Sequence, residues 1–82
     1  MVLVTLTRVA DGVARTFQRD EDLSTLDYAW HDGNYSCDCN RELFFARAAD
    51  EPEPEINCSD GRFRARIVRV DTGAVVYEEP PT

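Results

Sequence analysis

The chain has 82 residues, with 16 acidic residues against nine basic ones, a formal net charge of −7 and 43% hydrophobic residues. That length excludes a two-domain enzyme and any fold needing a full dinucleotide crossover sheet, and the apolar fraction excludes a compositionally disordered chain. The acidic balance argues against a general nucleic-acid binder, because neutralising phosphates needs a basic surface, and against docking on an anionic membrane.

Val2, Val4 and Leu6 alternate with Leu3, Thr5 and Thr7, the period of a half-buried strand. Asp11-Gly12 signals a hairpin turn, and Val13 to Arg19 reads as the return strand. A two-residue turn sets Leu6 opposite Phe17 and Arg8 opposite Arg15; a one-residue bulge at the turn relieves the like-charge pair. Arg19 to Ser24 is a polar connection. Leu26, Tyr28 and Trp30 alternate as a third strand with an aromatic face, ended by His31-Asp32-Gly33-Asn34. Tyr35 to Asn40 is irregular, and Arg41 to Ala48 is a short helix with Asp38 or Asn40 as N-cap. Leu43, Phe44 and Ala48 share its apolar face, with Phe45 at the margin. About two turns cannot stand alone, so packing must hold this helix. Prolines and glutamates alternate through Ala49 to Asn57, an extended, solvated loop. Cys58 to Gly61 is a turn, Arg62 to Val70 a strand, Asp71-Thr72-Gly73 a tight turn and Ala74 to Glu78 the last strand. A three-residue turn there sets Arg66 opposite Glu78 and Ile67 opposite Tyr77. Pro80-Pro81 end the order, so residues 1–79 form one domain and residues 80–82 a disordered tail.

The order βββαββ implies an α+β domain: a small antiparallel sheet of about five strands with one short helix packed on it. Its core is drawn from Val4, Leu6, Phe17, Leu26, Tyr28, Trp30, Leu43, Phe44, Phe63, Ile67 and Val76.

The densest segment is Trp30 to Phe45. Gly33, Asn34, Tyr35, Cys37, Asp38, Cys39, Asn40 and Arg41 spell G-N-Y-x-C-D-C-N-R, followed by Phe44-Phe45, by Cys58 and by the strand from Gly61 to Ile67. Over roughly half the chain this resembles a group of small phage- and prophage-encoded proteins. The resemblance implies an origin and a shape rather than an activity. A GC-rich source fits the composition too, since all nine basic residues are arginine and a solvated surface does not require arginine over lysine.

Three cysteines and one histidine carry the candidate chemistry. Cys37, Cys39, Cys58 and His31 are a candidate zinc set, since thiolates and imidazole are what tetrahedral zinc takes. A Cys39–Cys58 or Cys37–Cys58 disulfide is an alternative, and a Cys37–Cys39 bridge is strained. A thiol nucleophile with His31 as its base is a third, thinly supported reading. The preferred reading is structural: at least two cysteines are small buried apolar side chains, while Asp38, Asn40 and Arg41 cap the helix and tie the loop to the sheet. No apolar run approaches the ~20 residues of a membrane span, and Met1 to Thr7 does not read as a signal peptide. The expected location is therefore the bacterial cytosol, where thiols or metal ligands are commoner than bridges.

Arg62, Arg64 and Arg66 alternate with Phe63, Ala65 and Ile67. They read as a solvated sheet face making cross-strand ion pairs, in preference to a phosphate site. The acidic loop residues Asp50, Glu51, Glu53 and Glu55 are the candidate partner-binding set; otherwise they are a solvated loop. No acid–base constellation is present. The functional expectation is a non-enzymatic phage- or prophage-derived protein that binds another protein through an acidic surface, and the alternative is a zinc-stabilised domain.

Overall fold

The computed structural model describes residues 1–19, 37–55 and 61–79. Its elements are β1 (Val2–Arg8), β2 (Ala14–Arg19), α1 (Asp38–Ala48), β3 (Phe63–Arg69) and β4 (Val75–Glu78). The strands form one antiparallel sheet in the order β2-β1-β3-β4, with α1 against one face, an α+β fold. The expected strand over Leu26 to Trp30, its three core side chains and the tail 80–82 lie outside the described residues.

Strand alternation makes the inner face. Val2, Val4 and Leu6 of β1 and Phe63, Ala65 and Ile67 of β3 are all buried. Val4 lies opposite Ile67 and Leu6 opposite Ala65, so the two central strands present one apolar surface. Phe45 of α1 closes it, with Phe17, Phe44, Val76 and Tyr77 packed around the margin. Burying a side chain such as Leu6 or Ile67 stabilises by about 1.5–3 kcal/mol. Val2, Ala65 and Phe45 thus join the expected core, while Leu43 is only half-buried.

The helix departs from expectation at its start and in its face. It begins at Asp38 rather than Arg41, and its N-cap is Cys37, which makes no side-chain cap hydrogen bond; neither Asp38 nor Asn40 is the cap. Asp38, Arg41 and Phe45, spaced three and four apart, are its buried stripe. Ala48 is exposed, and Phe45 is the centre of the packing rather than its margin. An apolar-periodicity search misses this because two of the three inward positions are charged.

The helix ends in a Schellman motif. Glu51 N–H donates to the Ala46 carbonyl and Asp50 N–H to the Arg47 carbonyl, at 3.0 and 3.1 Å. Asp50 takes the left-handed position, φ 55°, that glycine usually fills.

Both hairpin loops are built alike. Arg8 and Arg69 each accept from a glycine N–H four residues on, Gly12 and Gly73, and each donates to the carbonyl of the next residue, Val13 and Ala74. The loops are therefore Val9 to Gly12 and Val70 to Gly73, each closing on a glycine at φ +73° that a side chain would strain. The longer first loop slides the register: Val4, not Leu6, faces Phe17, and Arg15 faces Leu6 rather than Arg8. No like-charge pair arises there, and no bulge is needed. In the second hairpin Arg66 does face Glu78 and Ile67 does face Tyr77; the register shift between Ile67 and Val68 compensates for the four-residue loop.

Candidate functional site

The first turn of α1 carries the sequence motif, and its charged residues face inward. Asp38 and Arg41 are 3% and 4% exposed. Asp38 Oδ2 accepts from the Arg62 backbone N–H at 2.8 Å, and its other oxygen lies 3.7 Å from Arg41 Nη1. Arg41 donates to the Phe63 carbonyl at 3.1 Å and to the Glu79 carboxylate. A buried charge is tolerated only when paired and hydrogen-bonded, and here one cluster does both while fastening the helix to β3 and to the residue after β4. Tyr77 belongs to the same corner: burial, with the Glu79 charge second, pushes its phenol above the usual value.

Flanking Asp38 are the two cysteines, both half-buried rather than inside the core. Cys37 is free and Cys39 is disulfide-bonded. Their Sγ atoms lie 2.7 Å apart. Cys58 and His31, the other two members of the expected zinc set, lie outside the described residues. Among the described residues no group of three metal-ligating side chains occurs.

The acidic loop leans back on the arginines. Glu51 pairs with Arg15, and Glu53 Oε1 accepts from Arg47 Nη2 at 2.8 Å. Asp50 and Glu55 make no ion pair with a described residue. The Arg15 contact is the largest cause holding the Glu51 carboxyl below its ordinary value. At the two hairpin loops, Arg8 does the same for Asp11 and Arg69 for Asp71. Arg8 grips Asp11 through both oxygens, with Nη2 to Oδ2 at 2.6 Å.

The expected arginine face is divided. Arg66 pairs with Glu78 across the strands at 2.6 Å. Arg62, just before β3, instead reaches Glu42 of α1 at 3.0 Å. Arg64 donates to the neighbouring Phe63 carbonyl at 3.2 Å.

Between the first hairpin loop, the C-terminal half of α1 and the acidic loop runs an open groove of about 550 Å³. Val9, Phe45, Pro52, Pro54 and Phe63 supply its apolar walls, and the Arg62–Glu42 pair and Glu51 stand at its rim. That is the size and make-up of a site for a single large apolar group flanked by charge. Its walls come from four stretches, residues 8–10, 42–46, 51–54 and 61–63, so no sequence motif marks it; the Pro-Glu alternation is its only linear trace.

Among the described residues no helix is long and apolar enough to cross a membrane. Compared with protein-family models, curated proteins and solved structures, the chain matches none.

Proposed function

We propose that this chain is a small non-enzymatic protein-binding domain, phage- or prophage-derived and acting in the bacterial cytoplasm, that engages a basic segment of another protein. The observation that carries the reading is the fate of the arginines. Arg8, Arg15, Arg41, Arg47, Arg62, Arg66 and Arg69 are each paired with an acidic residue among the described residues. Their charge is balanced internally, so the net −7 of the chain falls on the acidic residues that remain, which are Asp50 and Glu55 among the described residues and six more outside them. Asp50 and Glu55 are the members of the acidic loop left to meet a partner, and each is the sequence neighbour of a residue that lines the apolar groove, Glu51 and Pro54. A basic peptide with one aromatic anchor matches both features. The phage origin rests on the G-N-Y-x-C-D-C-N-R resemblance and on the lysine-free composition.

Titration with a lysine- and arginine-rich peptide bearing one tryptophan tests the reading. The expected result is binding that weakens with added salt and in an Asp50→Asn/Glu55→Gln variant. Absence of binding at low salt removes it.

A second reading, a structural-zinc domain on Cys37, Cys39, Cys58 and His31, draws support from the closeness of the Cys37 and Cys39 sulfurs. It requires Cys39 to be a thiolate. Metal analysis of purified protein checks it, with less than about 0.1 zinc per chain excluding it.

A further inference from the structure

We propose that Arg64 and Thr7 form an anion site on the face of the sheet away from α1, and that its ligand is a single carboxylate group. Arg64 is the residue that cross-strand ion pairing leaves over. It alternates with Phe63 and Ala65, which are buried on the helix side, so its own side chain stands on the opposite face. Its positions across the two ladders supply no acid. On β1 it faces Thr7. On the other side β4 ends at Glu78, opposite Arg66 and short of Arg64. Among the described residues Arg64 makes no ion pair and the Thr7 hydroxyl makes no hydrogen bond. Arg64 spends one N–H, from Nη1, on the Phe63 carbonyl; a guanidinium carries five such donors.

The pair opens on a cavity of about 550 Å³, lined also by Thr5, Val9 and Arg66. The other charges around it are already answered within the chain: Arg8 by Asp11, Arg66 by Glu78 and Glu79 by Arg41. The cavity therefore has a surplus of positive charge, and Arg64 carries it. Arg64 and Thr7 are both half-buried, so an ion held there is screened less than one at a fully exposed arginine.

Those features select the ligand. A guanidinium fork takes a carboxylate through two parallel N–H groups. The Thr7 hydroxyl, directly across the ladder, adds a further donor. One unanswered cation matches a monoanion. A phosphate dianion brings a second negative charge towards Glu78 and Glu79, in a chain of net charge −7. The site shares only Arg8 and Val9 with the groove beside α1, so it is independent of the basic-peptide reading.

Backbone-amide NMR of the full chain, at low and constant ionic strength, tests the site with acetate, N-acetylglycylglycine and the uncharged C-terminal amide of that peptide. The expected result is saturable shifts centred on Thr7 and Arg64 with both acids and none with the amide. Tighter binding of the peptide acid assigns the carboxylate to a peptide C-terminus; equal or weaker binding assigns it to a small organic acid. Arg64→Gln is expected to weaken binding about tenfold or more, and Thr7→Val by less, with unchanged melting temperatures. If Arg64→Gln alters the melt, Arg64→Lys keeps the charge without the fork and is expected to bind more weakly than the unmodified chain. Absent or unsaturable shifts overturn the proposal. So do equal shifts with the amide, undiminished binding in the Arg64 variant, or inorganic phosphate binding as tightly as acetate.

Discussion

The Arg15 guanidinium lies 4.0 Å from the centre of the Phe45 ring and donates from Nη1 to the carbonyl oxygen of that same residue at 2.9 Å. Phe45 sits near the C-terminal end of α1, where helix carbonyls lack partners; the Ala49 N–H bonds Ala46 rather than Phe45. A cation there also complements the negative end of the helix dipole. One strand residue thus packs on the central aromatic ring, satisfies the helix end and holds Glu51 of the acidic loop.

Arg15→Ala is accordingly expected to cost about 1–3 kcal/mol in urea melts, from the lost cation–π contact and the carbonyl left without its donor. Glu51→Gln removes only the exposed ion pair and is expected to cost less than Arg15→Ala. Equal costs for the two substitutions contradict the ranking.

Arg41 gives the steeper test. Its guanidinium is buried with Asp38 and contacts Glu79. Arg41→Leu strands a buried carboxylate and removes one of the two donors to the Phe63 carbonyl, leaving only Arg64 there, with an expected loss of about 3–5 kcal/mol. Asp38→Asn keeps an oxygen for the Arg62 N–H and is expected to cost less. Denaturation of both variants under one set of conditions orders them. The pair also shows what the motif D-C-N-R is for: its aspartate and arginine fasten the helix, and its cysteine is half-buried outside the core.

Strand alternation at Val2, Val4 and Leu6 and at Phe63, Ala65 and Ile67 was legible in the sequence, because a period of two survives whatever the strands pack against. The Arg66–Glu78 pairing was legible too. The helix start was not. Asp38 and Arg41 look like surface residues until the Arg62 N–H and the Phe63 carbonyl, brought by a strand over twenty residues away, give them partners. The first hairpin register was missed because Asp11-Gly12 resembles a two-residue turn; the Arg8–Asp11 grip instead stabilises a four-residue loop. The Arg62–Glu42 and Arg15–Glu51 pairs depend on tertiary proximity alone.

Asp50 offers a stabilising substitution. It holds φ 55° at the helix C-terminus, a conformation that disfavours a Cβ, and places an acid where the dipole prefers a cation. Asp50→Gly is expected to raise stability by about 0.5–1 kcal/mol, net of the greater freedom glycine has when unfolded. A lowered urea midpoint contradicts this. The same variant removes one acid from the proposed partner surface, so it is expected to bind the basic peptide more weakly while being more stable, a separation that a general loss of fold does not produce.

The pH dependence of stability has two limbs with different carriers. The Asp11, Glu51 and Asp71 carboxyls lie below their ordinary values of 3.8, 4.5 and 3.8, chiefly through hydrogen bonds from Arg8, Arg15 and Arg69. A carboxyl depressed on folding contributes stability that is present above its unfolded value and lost as pH falls through its folded one. Stability is therefore expected to decline from about pH 4.5 downward. Because these pairs are exposed, added salt flattens that limb. Tyr77 runs the other way: burial raises it above its ordinary 10.0, so the unfolded chain loses the proton first. Its contribution is complete below about pH 10 and is lost as pH rises through the folded value. With no lysine in the sequence, few other groups titrate in that range, and the arginines stay charged. Urea midpoints measured from neutral to strongly alkaline pH are expected to fall less in Tyr77→Phe than in the unmodified chain. Identical alkaline limbs place the loss on another group and detach Tyr77 from the buried Arg41 corner.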